Sequence, residues 1–211
     1  MIFKEQIHDY IQQHKGEIVD TLKELIRIPS VRGEAEDKAP FGKECARALK
    51  FTQRLYKRNG FETELDANGG YLLSYFGQGA KSLGLFAHAD VVPVANDWTL
   101  TTPFEPIEKD GFLIGRGAMD DKSAVVTSLY CAKIIKELGI PFNSRLICFT
   151  GANEESGMQD IKNYISAHTP PDFSLVCDTG FSFYRGNEGI LRFVATQEAP
   201  MHDITDFSGG S

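Results

Sequence analysis

Three short apolar segments constrain the fold of this chain more than any other feature, and each of them leads into a histidine or a carboxylate. The segments, with the side chains that follow them, are residues 83–87 with His88 and Asp90, residues 145–150 with Glu154 and Glu155, and residues 173–177 with Asp178. Apolar runs of this length predict strands that are buried on both faces of a sheet. Helical patterns separate the runs, and the order strand, helix, strand predicts βαβ units and an α/β fold with a parallel sheet.

The remaining elements follow from hydrophobic periodicity and from turn residues. Helices are predicted over residues 4–26, about 42–58, from the Asp120 loop to about 138, and roughly 158–167. Shorter strands are predicted over residues 61–65, 71–76 and 112–114. Gly16 predicts a weak break in the first helix, and Gly139 with Pro141 is a stop signal for the third.

Charge and composition argue against several classes of partner. The formal net charge is −7 and no basic stripe is present, which argues against a nucleic-acid partner. No apolar run approaches a membrane span, and the first residues lack a signal-peptide pattern, so we expect a cytoplasmic protein without a membrane partner. Four cysteines without CxxC spacing indicate reduced thiols: Cys45, Cys131, Cys148 and Cys177.

The predicted sheet brings the polar strand ends together. The carboxyl ends of parallel strands share one edge of an open α/β sheet, and ligands bind there. We therefore expect one rim to collect the side chains that follow the apolar segments: His88, Asp90, Glu154, Glu155 and Asp178. The glycine-flanked segment 115–123 brings Asp120 and Asp121 to a helix start on the same rim. Adjacent carboxylates repel each other unless a cation or base lies nearby, so the rim is a candidate metal site.

The ligand types indicate the chemistry of this site. One histidine with several carboxylates and no cysteine suits catalytic zinc, manganese or cobalt better than structural zinc. The carboxylates are too many for one ion, and two ions about 3.5–4 Å apart, bridged by Asp120, would stabilise both the attacking and the leaving oxygens of a hydrolysis. Asp90, two residues after His88, can orient the imidazole. Of the Glu154–Glu155 pair, one can bind metal while the other acts as a general base.

Each of these residues also has an ordinary structural interpretation when it is taken singly. A histidine after a strand can be a satisfied core residue, and Asp120-Asp121 can be an N-cap pair favoured by the helix dipole. The glutamate pair can be a solvated turn, and Asp178 can cap a loop. The metal site is favoured because these residues occur together at successive strand ends.

The same residues form an ordered set that resembles the M20 family of dinuclear metallopeptidases, and within it the bacterial PepV-like dipeptidases. The likeness covers roughly residues 5–195 and rests on these segments: Leu25-Ile26-Arg27-Ile28-Pro29-Ser30-Val31, Ala39-Pro40-Phe41-Gly42, His88-Ala89-Asp90-Val91-Val92-Pro93, Trp98 with Pro103-Phe104-Glu105-Pro106, Gly115-Arg116-Gly117 with Asp120-Asp121-Lys122, Glu154-Glu155-Ser156-Gly157, and Pro171-Asp172-Phe173 leading to Asp178. The resemblance implies a predominantly parallel three-layer α/β/α sheet of the zinc-peptidase type.

The resemblance also implies roles for individual residues. Four of them would bind metal: His88 and Asp178 one ion, Glu155 the second, and Asp120 both as the bridge. Glu154 would take a proton from a water between the ions and deliver it to the leaving amine. Asp90 would hold the imidazole of the histidine. The peptide bond between Asp120 and Asp121 is typically cis in this family.

Members of the family continue well past 211 residues, with a lid domain and a later return to the catalytic domain that supplies a distal histidine. We therefore expect the N-terminal portion of an M20 catalytic domain over residues 1–196 and an atypical tail over 197–211, without a fixed fold. His202 is a poor substitute for the distal histidine because nothing places it at a strand end. Missing strands would leave an apolar sheet edge, which predicts self-association.

Two functions of different classes follow. The first is a metal-dependent dipeptidase that hydrolyses dipeptides or short peptides with two divalent ions, impaired or inactive in this truncated chain because lid donors and a ligand are absent. The second is a non-catalytic remnant that binds at most one ion through His88, Asp120 and Asp178. An N-acyl-amino-acid amidohydrolase is the alternative for the parent enzyme, although segment 39–42 favours the dipeptidase.

Overall fold

The computed structural model describes residues 3–178 of the chain. Its helices are α1 (Lys4–Ile26), α2 (Lys43–Arg58), α3 (Lys122–Glu137) and α4 (Gln159–Ala167). Its strands are β1 (Glu62–Leu65), β2 (Tyr71–Phe76), β3 (Lys81–His88), β4 (Ile107–Lys109), β5 (Phe112–Ile114), β6 (Ser144–Gly151) and β7 (Phe173–Val176). Every helix and strand predicted in this part of the chain is present, with ends that shift by a few residues.

Five strands form the central sheet in the order β1-β2-β6-β3-β7. The three apolar segments pair in parallel as predicted, because β3 lies between β6 and β7 and runs in the same direction as both. The two strands at the other edge are antiparallel, and β1 and β2 are joined by a turn too short for a crossover. The α/β class is therefore confirmed, with a mixed sheet that has a parallel half.

Helices cover both faces of this sheet. On one face, α1, α2 and α3 pack against inward-facing side chains such as Leu85, Leu146 and Cys148. On the other face, Tyr164 of α4 packs against a second set that includes Phe149. Successive residues of a strand point to opposite faces, so β6 supplies Leu146 and Cys148 to one core and Phe149 to the other. The arrangement is the predicted three-layer α/β/α sandwich.

Local sequence explains where the helices end and where one prediction was wrong. Gly139 follows α3 in the left-handed conformation, with φ +60°, that commonly ends a helix. The expected break at Gly16 does not occur: α1 continues through it, with buried residues on both sides, Tyr10 before it and Leu25 after it. That packing outweighs the cost of about 1 kcal/mol for a glycine inside a helix.

Two strands differ from expectation in other ways. β4 was not predicted, because three residues of which two are charged show no period, and it pairs with β5 in a separate two-stranded sheet. The third apolar segment was expected to be buried, but Phe173 and Val176 of β7 are 61% and 67% exposed. Within residues 3–178, β7 has β3 as its one neighbour, so its side chains lie at the margin of the sheet.

In the part of the chain that the structure describes, no helix combines the length and apolar character needed to cross a bilayer. The predicted tail over 197–211, His202 and the end of the predicted 1–196 domain lie outside the described residues.

Candidate metal centre

His88 is the last residue of β3, and its surroundings leave one ring nitrogen available. It is 3% exposed, and its backbone N–H donates to Asp121 Oδ2 at 3.0 Å. The ring Nδ1 lies 3.0 Å from the backbone carbonyl oxygen of Asp90 and 3.3 Å from Asp90 Oδ1. These contacts fix the plane of the imidazole and direct its second nitrogen, Nε2, toward the rim.

Three carboxylates surround that second nitrogen. His88 Nε2 lies 3.2 Å from Asp120 Oδ1, 3.8 Å from Asp178 Oδ2 and 3.9 Å from Glu154 Oε2. It is buried and makes no hydrogen bond of normal geometry to any described residue. A buried imidazole nitrogen that faces several carboxylate oxygens has the environment of a metal ligand.

The carboxylates form two overlapping groups, and His88 belongs to both. In each group the candidate ligand atoms all lie within 4.8 Å of one another. The groups are His88 with Asp120 and Glu155, and His88 with Asp121 and Asp178. The convergence of distant residues at one rim of the sheet is therefore a feature of the structure.

The two adjacent aspartates differ in position. The bond between Asp120 and Asp121 is cis, as the resemblance implies. The Asp120 side chain is 59% exposed and faces the rim, whereas Asp121 is 1% exposed. Asp121 occupies the N-cap position of α3 but makes no capping hydrogen bond, because one of its oxygens accepts the His88 amide instead. Asp121 therefore has the N-cap position that the alternative interpretation gave it, but its side chain does not cap the helix.

Glu154 and Glu155 lie in a short 3₁₀ turn that follows β6. Their backbone N–H groups donate to the two oxygens of Asp90, each at 3.2 Å. The preceding amides, of Ala152 and Asn153, donate to Asp160 Oδ2 at 2.7 and 2.8 Å. The turn is thus anchored to buried carboxylates, which separates it from an ordinary solvated turn.

The electrostatics of the rim favour a cation. Burial raises the pKa of the Asp121 carboxyl to about 8, although the hydrogen bond from the His88 amide opposes this. Burial also raises the pKa of three other carboxyls: Glu154, Glu155 and Asp178. For the imidazole, burial is the largest single effect and lowers the pKa, but the hydrogen bond and charge of Asp90 and the charges of Asp121 and Asp178 together outweigh it and raise the pKa to about 10. Clustered carboxylates that resist ionisation are stabilised when a divalent cation is bound.

A buried lysine ties the Asp120 loop to the end of α1. Lys122 is 0% exposed, and its Nζ donates to the carbonyl oxygens of Leu25 at 3.2 Å and Ile28 at 2.6 Å. Two residues further on, Ser30 Oγ donates to the carbonyl oxygen of Ala89 at 2.6 Å, beside His88. Burial lowers the pKa of Lys122 to about 7. The segment after α1 therefore joins the two loops that carry the histidine and the aspartates.

The structure brings every predicted site residue to one rim: His88, Asp90, Asp120, Glu154, Glu155 and Asp178. Sequence reasoning placed Asp121 on the rim without giving it a role in the site, and it gave no role to Lys122 or Asp160. Asp120 and Asp121 are the same residue type, and nothing in the sequence distinguishes the buried member of the pair. Lys122 and Asp160 resemble exposed helix residues in the sequence, and only the packing of their helices buries them.

Comparisons with known proteins agree with this geometry. Residues 84–187 match the model of peptidase family M20/M25/M40. A protein of Staphylococcus haemolyticus that carries the name of a predicted dipeptidase is 31% identical over 196 residues, covering 92% of this chain and 41% of the relative. A similarly named protein of Staphylococcus aureus is 30% identical over 210 residues, covering 95% of this chain and 44% of the relative. The chain thus spans less than half the length of these relatives.

Solved structures share the fold. Human carnosine dipeptidase 1 superposes with a TM-score of 0.73 at 23% identity, over 83% of this chain and 41% of that one. An M20 family metallo-carboxypeptidase of Sulfolobus solfataricus superposes with a TM-score of 0.67 at 20% identity, over 78% of this chain and 38% of that one. The family match covers the second half of β3, the Asp120 loop, β6 and the glutamate turn, which are the segments that build the rim. This chain belongs to peptidase family M20/M25/M40.

Proposed function

We propose that this chain carries the metal centre of a dipeptidase that hydrolyses the amide bond of dipeptides or short peptides with two divalent cations. The observation that carries the proposal is the buried His88 Nε2, which lies within 4 Å of oxygens from three carboxylates and makes no hydrogen bond to a described residue. The dipeptidase names of the relatives support the substrate class.

The donor set fits zinc or manganese, with cobalt as a third candidate, because imidazole with carboxylates suits all three ions. His88 and Asp178 would hold one cation, Glu155 would hold the other, and Asp120 would contribute to both. This assignment is supported by the distances from His88 Nε2 to Asp120 Oδ1, 3.2 Å, and to Asp178 Oδ2, 3.8 Å, and by the group that Asp120 forms with Glu155. When bound, the cations supply Lewis-acid polarisation of the substrate carbonyl and lower the pKa of the attacking water.

Glu154 is the general base and acid of the proposed reaction. Its Oε2 lies 3.9 Å from His88 Nε2, so it adjoins the metal ligands without being the nearest of them. Burial raises the pKa of its carboxyl, which brings the group closer to the pH at which it can both accept and return a proton. Glu154 takes a proton from the water that attacks the carbonyl and delivers it to the leaving amine nitrogen. Asp90 keeps the imidazole oriented.

The metal centre is tested by titrating the purified chain with Zn²⁺ and with Mn²⁺ by calorimetry, together with metal analysis. We expect two ions per chain. Because His88 is the imidazole ligand of the cation shared with Asp178, His88→Ala is expected to abolish binding of that cation and leave at most one ion per chain. His8→Ala, an exposed histidine on α1, is the matched control and should bind as wild type does.

Binding should also raise the melting temperature. A cation present at a hundred times its dissociation constant stabilises the folded state by about 2.7 kcal/mol. For a domain of this size that corresponds to a rise of roughly 5–11 °C. An equal rise in the His88→Ala variant would mean that the cations bind elsewhere and would refute the proposed centre.

Turnover is tested with the cation-loaded chain on dipeptides and on an N-acyl amino acid. Hydrolysis of dipeptides that Glu154→Gln loses supports the dipeptidase, with Glu64→Gln on the β1–β2 hairpin as the control for a glutamate away from the rim. Preference for the N-acyl amino acid would support the amidohydrolase alternative. Two bound ions without turnover of either substrate would favour a non-catalytic role for this chain.

A cytoplasmic location remains part of the proposal and is supported by the two buried thiols, Cys45 and Cys148.

A further inference from the structure

We propose that Asp160, a residue of α4 that is not a candidate metal ligand, is a positioning residue for Glu154 and Glu155. The inference rests on the proposed function, because it concerns how the turn that carries these two glutamates is held at the metal centre. It adds a residue to the site from a helix on the other face of the sheet.

The contacts of Asp160 are directed at the chain leading to the glutamates. Asp160 is 2% exposed. Its Oδ2 accepts the N–H of Ala152 at 2.7 Å and that of Asn153 at 2.8 Å, and its Oδ1 accepts the N–H of Ile161 at 2.8 Å. Three amide donors therefore satisfy the carboxylate, and none of the ion pairs found in residues 3–178 involves it.

Asp160 and Asp90 together hold four successive peptide groups. Asp160 takes the amides of residues 152 and 153, and Asp90 takes those of residues 154 and 155. These amides come after the end of β6 at Gly151, where the sheet ladder no longer supplies acceptors. The direction of the backbone sets where each side chain points. The carboxylates of Asp90 and Asp160 therefore orient the side chains of Glu154 and Glu155 toward His88.

The turn is closed around Asp160 by further contacts. Asn153 Oδ1 accepts the N–H of Gln159 at 3.0 Å, and the Asn153 carbonyl oxygen accepts the N–H of Met158 at 2.8 Å. Gly151 allows the close approach, because a Cβ at that position would lie 2.4 Å from Asp160 Oδ2. The strand end, the turn and the start of α4 thus form one unit centred on this carboxylate.

The experiment measures cation affinity for the full chain and its variants by calorimetry with Zn²⁺. Asp160→Asn has the same shape but replaces one acceptor oxygen by an NH₂ donor, which then faces an amide donor. We expect a 10–100-fold weaker affinity for the cation that Glu155 binds, which is the usual effect of losing a residue that orients a ligand. The cation bound through Asp178 should keep its affinity to within about threefold.

Asp172→Asn is the matched control. Asp172 also accepts a backbone amide, from Ser82 at 2.9 Å, but it lies beside the first residues of β3, at the opposite end of that strand from His88. Asp172→Asn should leave both affinities unchanged. Gly151→Ala would place its new Cβ against Asp160 Oδ2, so it should reproduce the loss of cation affinity expected for Asp160→Asn. It also provides the comparison if Asp160→Asn does not fold.

A second set of variants separates positioning from a general structural role. If Asp160 acts through Glu155, then Asp160→Asn should have no further effect on cation affinity in a Glu155→Gln background. An equal fold-loss in both backgrounds, or unchanged affinity in folded Asp160→Asn, would overturn the inference. Failure of the wild-type chain to bind any cation would refute the proposed metal centre instead, so the two failures are distinguishable.

Discussion

Tyr164 holds α4 against the sheet, and its removal should destabilise the protein strongly. The side chain is 2% exposed and is surrounded by aromatic rings. The ring centroids lie 5.3 Å away for Phe149, 5.8 Å for Phe86, 5.9 Å for Tyr71 and 5.1 Å for His168. α4 is only 9 residues long, so it depends on this packing more than on its own helical propensity.

The expected magnitude follows from these contacts. Truncation of a fully buried aromatic residue to alanine costs about 3–5 kcal/mol, and edge or stacked ring pairs contribute about 0.5–1.5 kcal/mol each within that sum. We therefore expect Tyr164→Ala to lower the free energy of unfolding by about 4 kcal/mol. With a urea m-value of about 2 kcal/mol/M, the midpoint should fall by roughly 2 M.

Equilibrium urea unfolding followed by circular dichroism is the assay, and Tyr164→Phe is the control. The Tyr164 hydroxyl makes no hydrogen bond to any residue in 3–178, so its loss should change the unfolding free energy by less than about 0.5 kcal/mol. A loss below 1 kcal/mol for Tyr164→Ala would refute the reasoning. Equal losses for the two variants would show that the hydroxyl, and not the ring packing, stabilises α4.

Three further changes test other parts of the fold by the same unfolding assay. Gly16→Ala should stabilise by about 0.5–1 kcal/mol, because the new methyl group meets nothing within 4 Å inside a helix; a loss of stability would contradict this. Gly42→Ala should cost about 2 kcal/mol or more, because φ is +97° and the Cβ would lie 2.7 Å from Gly33 N; an unchanged midpoint would show that this backbone relaxes freely. Glu17→Gln should cost about 0.5–1 kcal/mol at pH 7, since a hydrogen bond from Lys133 at 3.0 Å lowers the pKa of this half-exposed carboxyl. Because the pKa of Glu17 in the folded chain is lower than its ordinary value of 4.5, the charged carboxyl stabilises the fold at pH values above 4.5. The difference between Glu17→Gln and wild type should therefore disappear as the pH falls through the folded pKa, and a constant difference down to pH 3 would argue against an ionic origin.

The sequence was sufficient to predict the parallel strands and the rim, because strongly apolar runs ending in ligand side chains leave few alternatives. It was insufficient at β4, where Ile107, Glu108 and Lys109 form a strand only through pairing with β5. The sequence was also insufficient at β7, because the burial of this strand depends on which strands lie beside it and not on its own residues. Pairing partners are a tertiary property that local composition does not encode.

The same limit applies within the site. Asp120 and Asp121 are chemically identical in the sequence, and the backbone alone places one at the rim and the other against the His88 amide. An aspartate in the first turn of a helix, such as Asp160 in α4, is favoured by the helix dipole even when it is exposed, so its type alone does not indicate burial. Its burial against residues 152 and 153 depends on the docking of α4, which requires the aromatic cluster around Tyr164.

The order of the strands has a consequence for how the protein reaches its native state. Lys81 lies opposite Ser144, and Leu83 lies opposite Phe173, so both parallel pairings join regions that are far apart along the chain. Such non-local pairings close large loops and form slowly. These two pairings bring the imidazole to the carboxylates that follow β6 and β7, so we expect a chain that lacks either pairing to lack the binding site as well. Divalent cations should therefore slow unfolding while leaving the early refolding rate unchanged.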